Sequence, residues 1–322
     1  MKQITFYLPT NHVTDGSVDY TAKIQQAVNE NEEVQFPDYP LMVNERGIIP
    51  PSNRLLQNPN LVMKATALGS YNLIRLQKVD NIEINNATIK GDRYTHIGTA
   101  GEWGNGIGVY GCSNITINAL NVSNCWGDGI YIAGKDSQPC RDITINNATC
   151  YANRRNGISI ISTIGLTLNS PNCIRTSGVL PMCGIDIEPN TNLDEIQDIV
   201  INNPRTELNT EYGIAIAISA LYGSIEKNIS IKIVRHVDYY AKAGLRVSAN
   251  PKVGSGKVSG VINIIDPHWI YNSFEPWQID IRERNILLNV VTPNVVHALT
   301  KEETIAVLTK KENVNANYKL SF

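Results

Sequence analysis

Gly129-Ile130-Tyr131-Ile132, then Asp142-Ile143-Thr144-Ile145-Asn146, then Gly157-Ile158-Ser159-Ile160: the reading of these three successive phrases decides the fold. Each alternates with a period of two, as a strand does when one face turns inward. Both kinds of phrase recur. The glycine phrase returns at Gly106-Ile107-Gly108-Val109, Gly184-Ile185-Asp186-Ile187, Gly213-Ile214-Ala215-Ile216 and Gly244-Leu245-Arg246-Val247. Successive glycines of the series are 23, 28, 27, 29 and 31 residues apart. The other phrase returns at Asn81-Ile82-Glu83-Ile84-Asn85, Asn114-Ile115-Thr116-Ile117-Asn118, Gly165-Leu166-Thr167-Leu168-Asn169 and Asp198-Ile199-Val200-Ile201-Asn202. Self-similarity at such a period marks a solenoid. The spacing varies too much for leucine-rich repeats, and helical periodicity is missing between the strands. The economical solution is all-β: a right-handed parallel β-helix with at least two short strands per coil.

Stacked coils lie about 4.8 Å apart, so equivalent residues sit over one another. Asn85, Asn118, Asn146, Asn169 and Asn202 are expected to form one amide column. Cys112 is expected over Cys140, and Cys150 over Cys173. Their spacing permits disulfides, and a column of buried thiols explains them equally well. None of the six cysteines forms a CxxC pair, so zinc and thioredoxin-like readings lack support. The open ends of a solenoid need covering. Asp19 through Val28 reads as a short N-terminal capping helix, with Asp19 as its cap and Ile24, Ala27 and Val28 facing the first coil. This divides the chain into a cap and lead-in (1–60), the parallel β-helix (61–299) and a polar C-terminal tail with one helical turn (300–322).

The net charge of −2 over 322 residues argues against nucleic-acid and membrane partners. No apolar run approaches the ~20 residues of a membrane span, and the N-terminus shows no signal peptide.

Thr14-Asp15-Gly16 with Asp19-Tyr20-Thr21-Ala22-Lys23-Ile24-Gln25-Gln26-Ala27 resembles the opening of pectate-lyase-like β-helix proteins. Gly91-Asp92-Arg93, Gly101-Glu102-Trp103-Gly104, Trp126-Gly127-Asp128-Gly129-Ile130 and Gly184-Ile185-Asp186-Ile187-Glu188-Pro189-Asn190 resemble phage and prophage members, the tailspike polysaccharide depolymerases. The likeness covers roughly residues 10–260. It implies a virion-tail or extracellular setting, a polysaccharide substrate and a homotrimer. It does not fix the chemistry, because one fold hosts many activities.

Aligning the glycine phrases places candidate residues on one outward face. Two residues after each glycine stand Gly108, Tyr131, Ser159, Asp186, Ala215 and Arg246. Four after stand Tyr110, Ala133, Ile161, Glu188, Ala217 and Ser248; one before stand Asn105, Asp128, Asn156, Cys183, Tyr212 and Ala243. A floor of small residues admits a sugar ring, and tyrosine stacks on its apolar face. Glycoside hydrolysis commonly takes two carboxyls, one protonated and one ionised. Asp186 and Glu188 share a strand face with Cα atoms about 6.7 Å apart. Asp128 lies two coils earlier, and Glu102 precedes the first glycine phrase. These four are the catalytic candidates. Tyr131, Trp103, Trp126, Arg246, Tyr110, Ser159 and Arg155 are the substrate-binding candidates. Each has a plainer reading: Asp128-Gly129 is ordinary turn chemistry, Arg154-Arg155 suits a solvated turn, and the tryptophans suit rim packing. His96 and His268 show no metal-ligand spacing.

Three functions compete. An endo-acting glycosidase uses the acidic cluster and needs no cofactor. A polysaccharide lyase needs a base such as Tyr131 or Arg246, with calcium on Asp128, Asp186 and Glu188 to neutralise a uronate. A non-catalytic glycan-binding or structural solenoid needs neither.

Overall fold

The computed structural model describes residues 1–251, 256–282, 285–296 and 318–321. It is the parallel β-helix expected, with about nine turns. Each coil carries three strands rather than the two legible in the sequence. Among the described residues the asparagine sheet has 12 strands, including Ser113–Asn118, Cys140–Asn146 and Thr163–Asn169. The glycine sheet has eight, among them Trp103–Tyr110, Ile130–Ala133, Ile158–Ile160, Ile185–Ile187, Tyr212–Ala217 and Ala243–Ala249. Between them runs a third sheet of ten short strands such as Asn121–Ser123 and Thr149–Tyr151. Three-residue strands hold too few alternations to declare themselves by pattern.

The corners explain which residues open the asparagine phrases. Asn81, Asn114, Asp142 and Asp198 all have φ between 52° and 57°, and Gly165 has φ 75°. This left-handed region is tolerated best by Asn, Asp and Gly. The glycine column has a steric cause. A Cβ on Gly106, Gly129, Gly157, Gly184 or Gly213 would stand 2.5–2.7 Å from the carbonyl oxygen of the glycine on the next coil.

The amide column forms as expected. Asn118 donates to Asn85 (2.8 Å), Asn146 to Asn118 (2.7 Å), Asn169 to Asn146 (2.8 Å) and Asn202 to Asn169 (2.9 Å). Cys150 and Cys173 are register partners, and all six cysteines are buried free thiols. The interior is a stack of isoleucine, leucine and valine rungs. Toward the C-terminal coils it changes character. Trp269 and Trp277 meet edge to face at 4.9 Å, and beside them Thr206, His236, Asp238 and Asn272 form a buried polar network.

The helix runs Thr21–Glu30, two residues later than read from sequence. Asp19 still serves its end, because its carboxylate accepts from the Thr21 amide (3.0 Å) and hydroxyl (2.6 Å). Ile24, Ala27 and Val28 are buried beneath it. Strands Lys2–Gln3, Glu33–Gln35 and Arg54–Gln57, within the stretch read as cap and lead-in, are already rungs of the asparagine sheet. The tail's helical turn lies outside the described residues, while backbone strand Tyr318–Ser321 pairs with Ile286–Val291. Among the described residues no helix is long and apolar enough to cross a membrane.

Candidate functional site

The strand register sets the groove. Gly108, Tyr131, Ser159, Asp186, Ala215 and Arg246 are successive partners on the glycine sheet, one per coil. Arg75 extends this column at one end and Gln278 at the other.

Asp128 belongs to a second column, where it replaces an asparagine. The Asp128 amide donates to Asn105 Oδ1 (2.9 Å), the Asn156 amide to Asp128 Oδ1 (2.8 Å), and the Cys183 amide to Asn156 Oδ1 (2.9 Å). One carboxylate oxygen of Asp128 therefore does what the amide oxygens of Asn105 and Asn156 do, which is to pair a buried backbone N–H. Its other oxygen accepts from Ser159 Oγ (2.8 Å) and Arg155 (3.0 Å). Burial raises the Asp128 carboxyl above its usual range, opposed chiefly by Arg155.

Arg155 is the hub. Its side chain is only 12% exposed, so it is no solvated turn residue. It pairs with Asp128, reaches Glu188 at 3.7 Å, and also feels Asp186 and Glu102. Burial alone would lower its pKa, and these four carboxylates lift it above its ordinary value. The four acids expected to be catalytic are thus gathered around one guanidinium. That charge stands among Asp128, Asp186 and Glu188, where a calcium would have to sit, so these residues do not fit the metal expected under the lyase reading. Among the described residues no group of three His, Cys, Asp or Glu is arranged for a metal.

Asp186 is buried, and its carboxylate accepts from Asn156 Nδ2 (3.1 Å). Burial and the adjacent Glu188 hold its pKa well above the usual carboxylate range. Glu188, in contrast, is 39% exposed and leans on Arg155. Tyr131 is half-buried beside Tyr110, with ring centroids 5.8 Å apart. Its phenol, bonded to Asn190, is pushed up to about 12, mainly by burial. Tyr110 donates to Asn72 (3.1 Å).

The two tryptophans diverge. Trp103 is half-exposed and open to a ligand. Trp126 is buried against the His96 ring (3.8 Å, 13° between planes) and the Arg154 guanidinium (3.6 Å). Its expected role as a sugar platform is corrected: these neighbours already cover the ring. Arg246 projects two coils beyond Asp186 and is held by the Tyr212 hydroxyl (3.0 Å). Asn156 and Asn190 were missed as site residues. Asn156 was legible in principle, because it occupies the column of Asp128. Asn190 lies past the strand, where no periodicity applies.

No family model matches the chain. The uncharacterized protein YclG of Bacillus subtilis strain 168 is 31% identical over 211 residues, covering 54% of this chain and 36% of YclG. An SPbeta prophage-derived uncharacterized protein of the same strain, YorA, is 32% identical over 162 residues, covering 44% of this chain and 28% of YorA. The chain spans about a third of the length of these curated relatives. Among solved structures, the A-module of the Azotobacter vinelandii mannuronan C-5 epimerase AlgE6 superposes with TM-score 0.63 at 13% identity, over 93% of this chain and 87% of that one. A mutant tailspike of E. coli bacteriophage HK620, in complex with a hexasaccharide, gives TM-score 0.62 at 13% identity, over 92% and 57%. The tailspike gp49 of Acinetobacter baumannii bacteriophage Fri1, a capsular polysaccharide depolymerase, gives 0.52 at 12% identity, over 98% and 66%. These structural likenesses establish a common fold.

Proposed function

We propose that the chain is an endo-acting glycoside hydrolase that depolymerises a bacterial surface polysaccharide as part of a phage or prophage tail. The observation that carries this reading is the contrast between two carboxyls on one strand. Burial and Glu188 raise the carboxyl of Asp186 well above the usual carboxylate range, and Glu188 beside it is partly exposed and ion-paired with Arg155. That is the division of labour glycoside hydrolysis requires. Asp186 donates its proton to the glycosidic oxygen as the bond breaks. Glu188 acts on the anomeric carbon, directly or through water, with Arg155 beside it at 3.7 Å. Asp128 and Ser159 position Arg155 and the strand beneath. The prophage origin of YorA and the tailspikes among the structural neighbours support the tail setting.

The same geometry gives elimination less support. A phenol pushed up to about 12 makes Tyr131 a poor base at neutral pH. The test incubates purified protein with bacterial capsular and exopolysaccharides, reading reducing ends and ultraviolet absorbance. The expected result is new reducing ends without absorbance. Asp186→Asn and Glu188→Gln should each lower the rate by about a hundredfold or more while keeping the fold. Undiminished cleavage in both variants would sink the assignment, and absorbing products would replace hydrolysis by elimination.

A further inference from the structure

The groove column has charge at both ends that its neighbours leave unmatched. Read along the axis it runs Arg75, Gly108, Tyr131, Ser159, Asp186, Ala215, Arg246, Gln278. Arg246 lies two rungs beyond Asp186, about 10 Å along the axis, and Arg75 four rungs before it, about 19 Å. Both arginines are half-buried. Neither forms an ion pair among the described residues, whereas neighbouring cations do: Lys242 holds Glu211 at 2.8 Å, and Arg155 holds Asp128 at 3.0 Å.

Arg246 is also set in place. Its guanidinium lies over the Tyr212 ring (5.1 Å) and donates to the Tyr212 hydroxyl (3.0 Å), which donates onward to Gln278 (3.1 Å). Tyr212 sits one coil earlier in the column of Asp128, and its ring is buried. A long side chain fixed this way has already lost much of the freedom that binding would remove, while most of its donors stay unspent. Such an arrangement suits a planar anion received side-on.

The acids between the arginines do not forbid an anionic ligand. Arg155 balances one charge of the Asp128 and Glu188 carboxylates it pairs with, and the Asp186 carboxyl is raised well above the usual range, so the cluster is less negative than its four carboxyls suggest. The cationic ends can therefore attract a polyanion whose neutral linkage crosses the acid pair.

Building on the hydrolase reading, we infer that the substrate is an acidic polysaccharide. Arg246 with Tyr212 forms a subsite for a sugar carboxylate two rungs from the cleavage point, and Arg75 forms a second at the opposite end of the groove.

The test uses binding rather than cleavage. The Asp186→Asn protein is titrated by affinity electrophoresis with acidic capsular and exopolysaccharides, each paired with its carboxyl-reduced neutral form, at low and high salt. The expected result is binding to at least one acidic polymer that weakens with salt and is lost on carboxyl reduction. Arg246→Gln in the same background should weaken binding about tenfold or more. Arg246→Lys should recover part of it, which separates a ligand contact from a folding defect. Equal affinity for the carboxyl-reduced forms, binding confined to neutral polymers, no binding to any polymer, or an unchanged affinity in Arg246→Gln overturns the subsite. Acidic polymers bound but left intact by the unmutated protein would support the subsite and remove the hydrolase reading. Cleavage unaffected by Arg246→Gln would do the reverse.

Discussion

At the scale of single residues, Asp128 shows how one side chain can serve structure and site together. Its Oδ1 pairs the Asn156 amide as an asparagine would, and its Oδ2 holds Arg155 and Ser159. The two duties can be separated by substitution. Asp128→Asn keeps the acceptor for the backbone amide but turns an N–H toward Arg155. Asp128→Ala removes both, leaving a buried amide unpaired and the buried guanidinium with Glu188 alone at 3.7 Å. Breaking a buried ion pair in this way costs about 3–5 kcal/mol. Chemical denaturation should show Asp128→Asn losing about that much, because it too breaks the ion pair, and Asp128→Ala losing about 1–3 kcal/mol more for the unpaired amide; equal losses would show that the ladder bond carries no weight. The acids of the site were legible in the sequence because the glycine phrases align outward positions coil by coil. Arg155 was harder to weigh, since a double arginine in a turn is ordinarily solvated. Only the folded coils show it buried among four carboxylates, and only they show the ring of Trp126 already covered.

At the scale of elements, the asparagine column links successive coils side chain to side chain. A mid-column amide both donates and accepts: Asn146 gives to Asn118 and receives from Asn169. Asn202 ends the run, because the next coil offers Val234 in register. Each amide bond contributes about 1 kcal/mol net. Asn146→Ala should therefore destabilise the protein by about 2 kcal/mol and Asn202→Ala by about half as much, measured as shifts in the denaturation midpoint. Equal losses would mean that the column is a by-product of stacking. The same repetition is why so much of the fold was readable. Two of three sheets announced themselves by period-two phrases and by the Asn, Asp or Gly that opens a left-handed corner. The third sheet escaped because its strands are three residues long and its corners accept residues such as Ala152, Arg175 and Leu208 at φ 53–60°. Nothing in their side chains advertises that conformation.

At the scale of the whole molecule, the interior is apolar along most of its length, with a polar interruption near the C-terminal coils that should contribute to the response to pH alongside Asp128 and Asp186. Trp269 Nε1 can only donate, so His236 Nδ1 accepts from it at 3.1 Å and carries no proton. His236 Nε2–H then donates to Thr206 Oγ1 (2.7 Å), whose own hydrogen goes to Asp238 (2.5 Å). Protonating His236 would set two N–H groups against each other, in keeping with burial driving its pKa down to about 3. Burial likewise pushes Asp238 up to about 7, despite bonds from Thr206 and Asn272. The signs oppose. Asp238 binds its proton more tightly folded than unfolded, so its cost is absent below about pH 4 and grows to roughly 4 kcal/mol as pH rises to about 7. His236 binds its proton less tightly folded, so its cost is absent above about pH 6.5 and grows as pH falls toward 3. Between about pH 4 and 6.5 the two slopes cancel, and the pair contributes a nearly constant term. Removing one partner uncovers the other. Asp238→Asn should become less stable as pH is lowered from 6.5 to 4, relative to the unmutated protein, and His236→Gln should become less stable as pH is raised across the same interval. Thermal melts of the three proteins at half-unit pH steps read this directly. Slopes of the same sign in both variants would mean that the network does not divide its protons in this way, whereas opposite slopes would show that a buried acid and a buried base offset each other's pH dependence over the weakly acidic range.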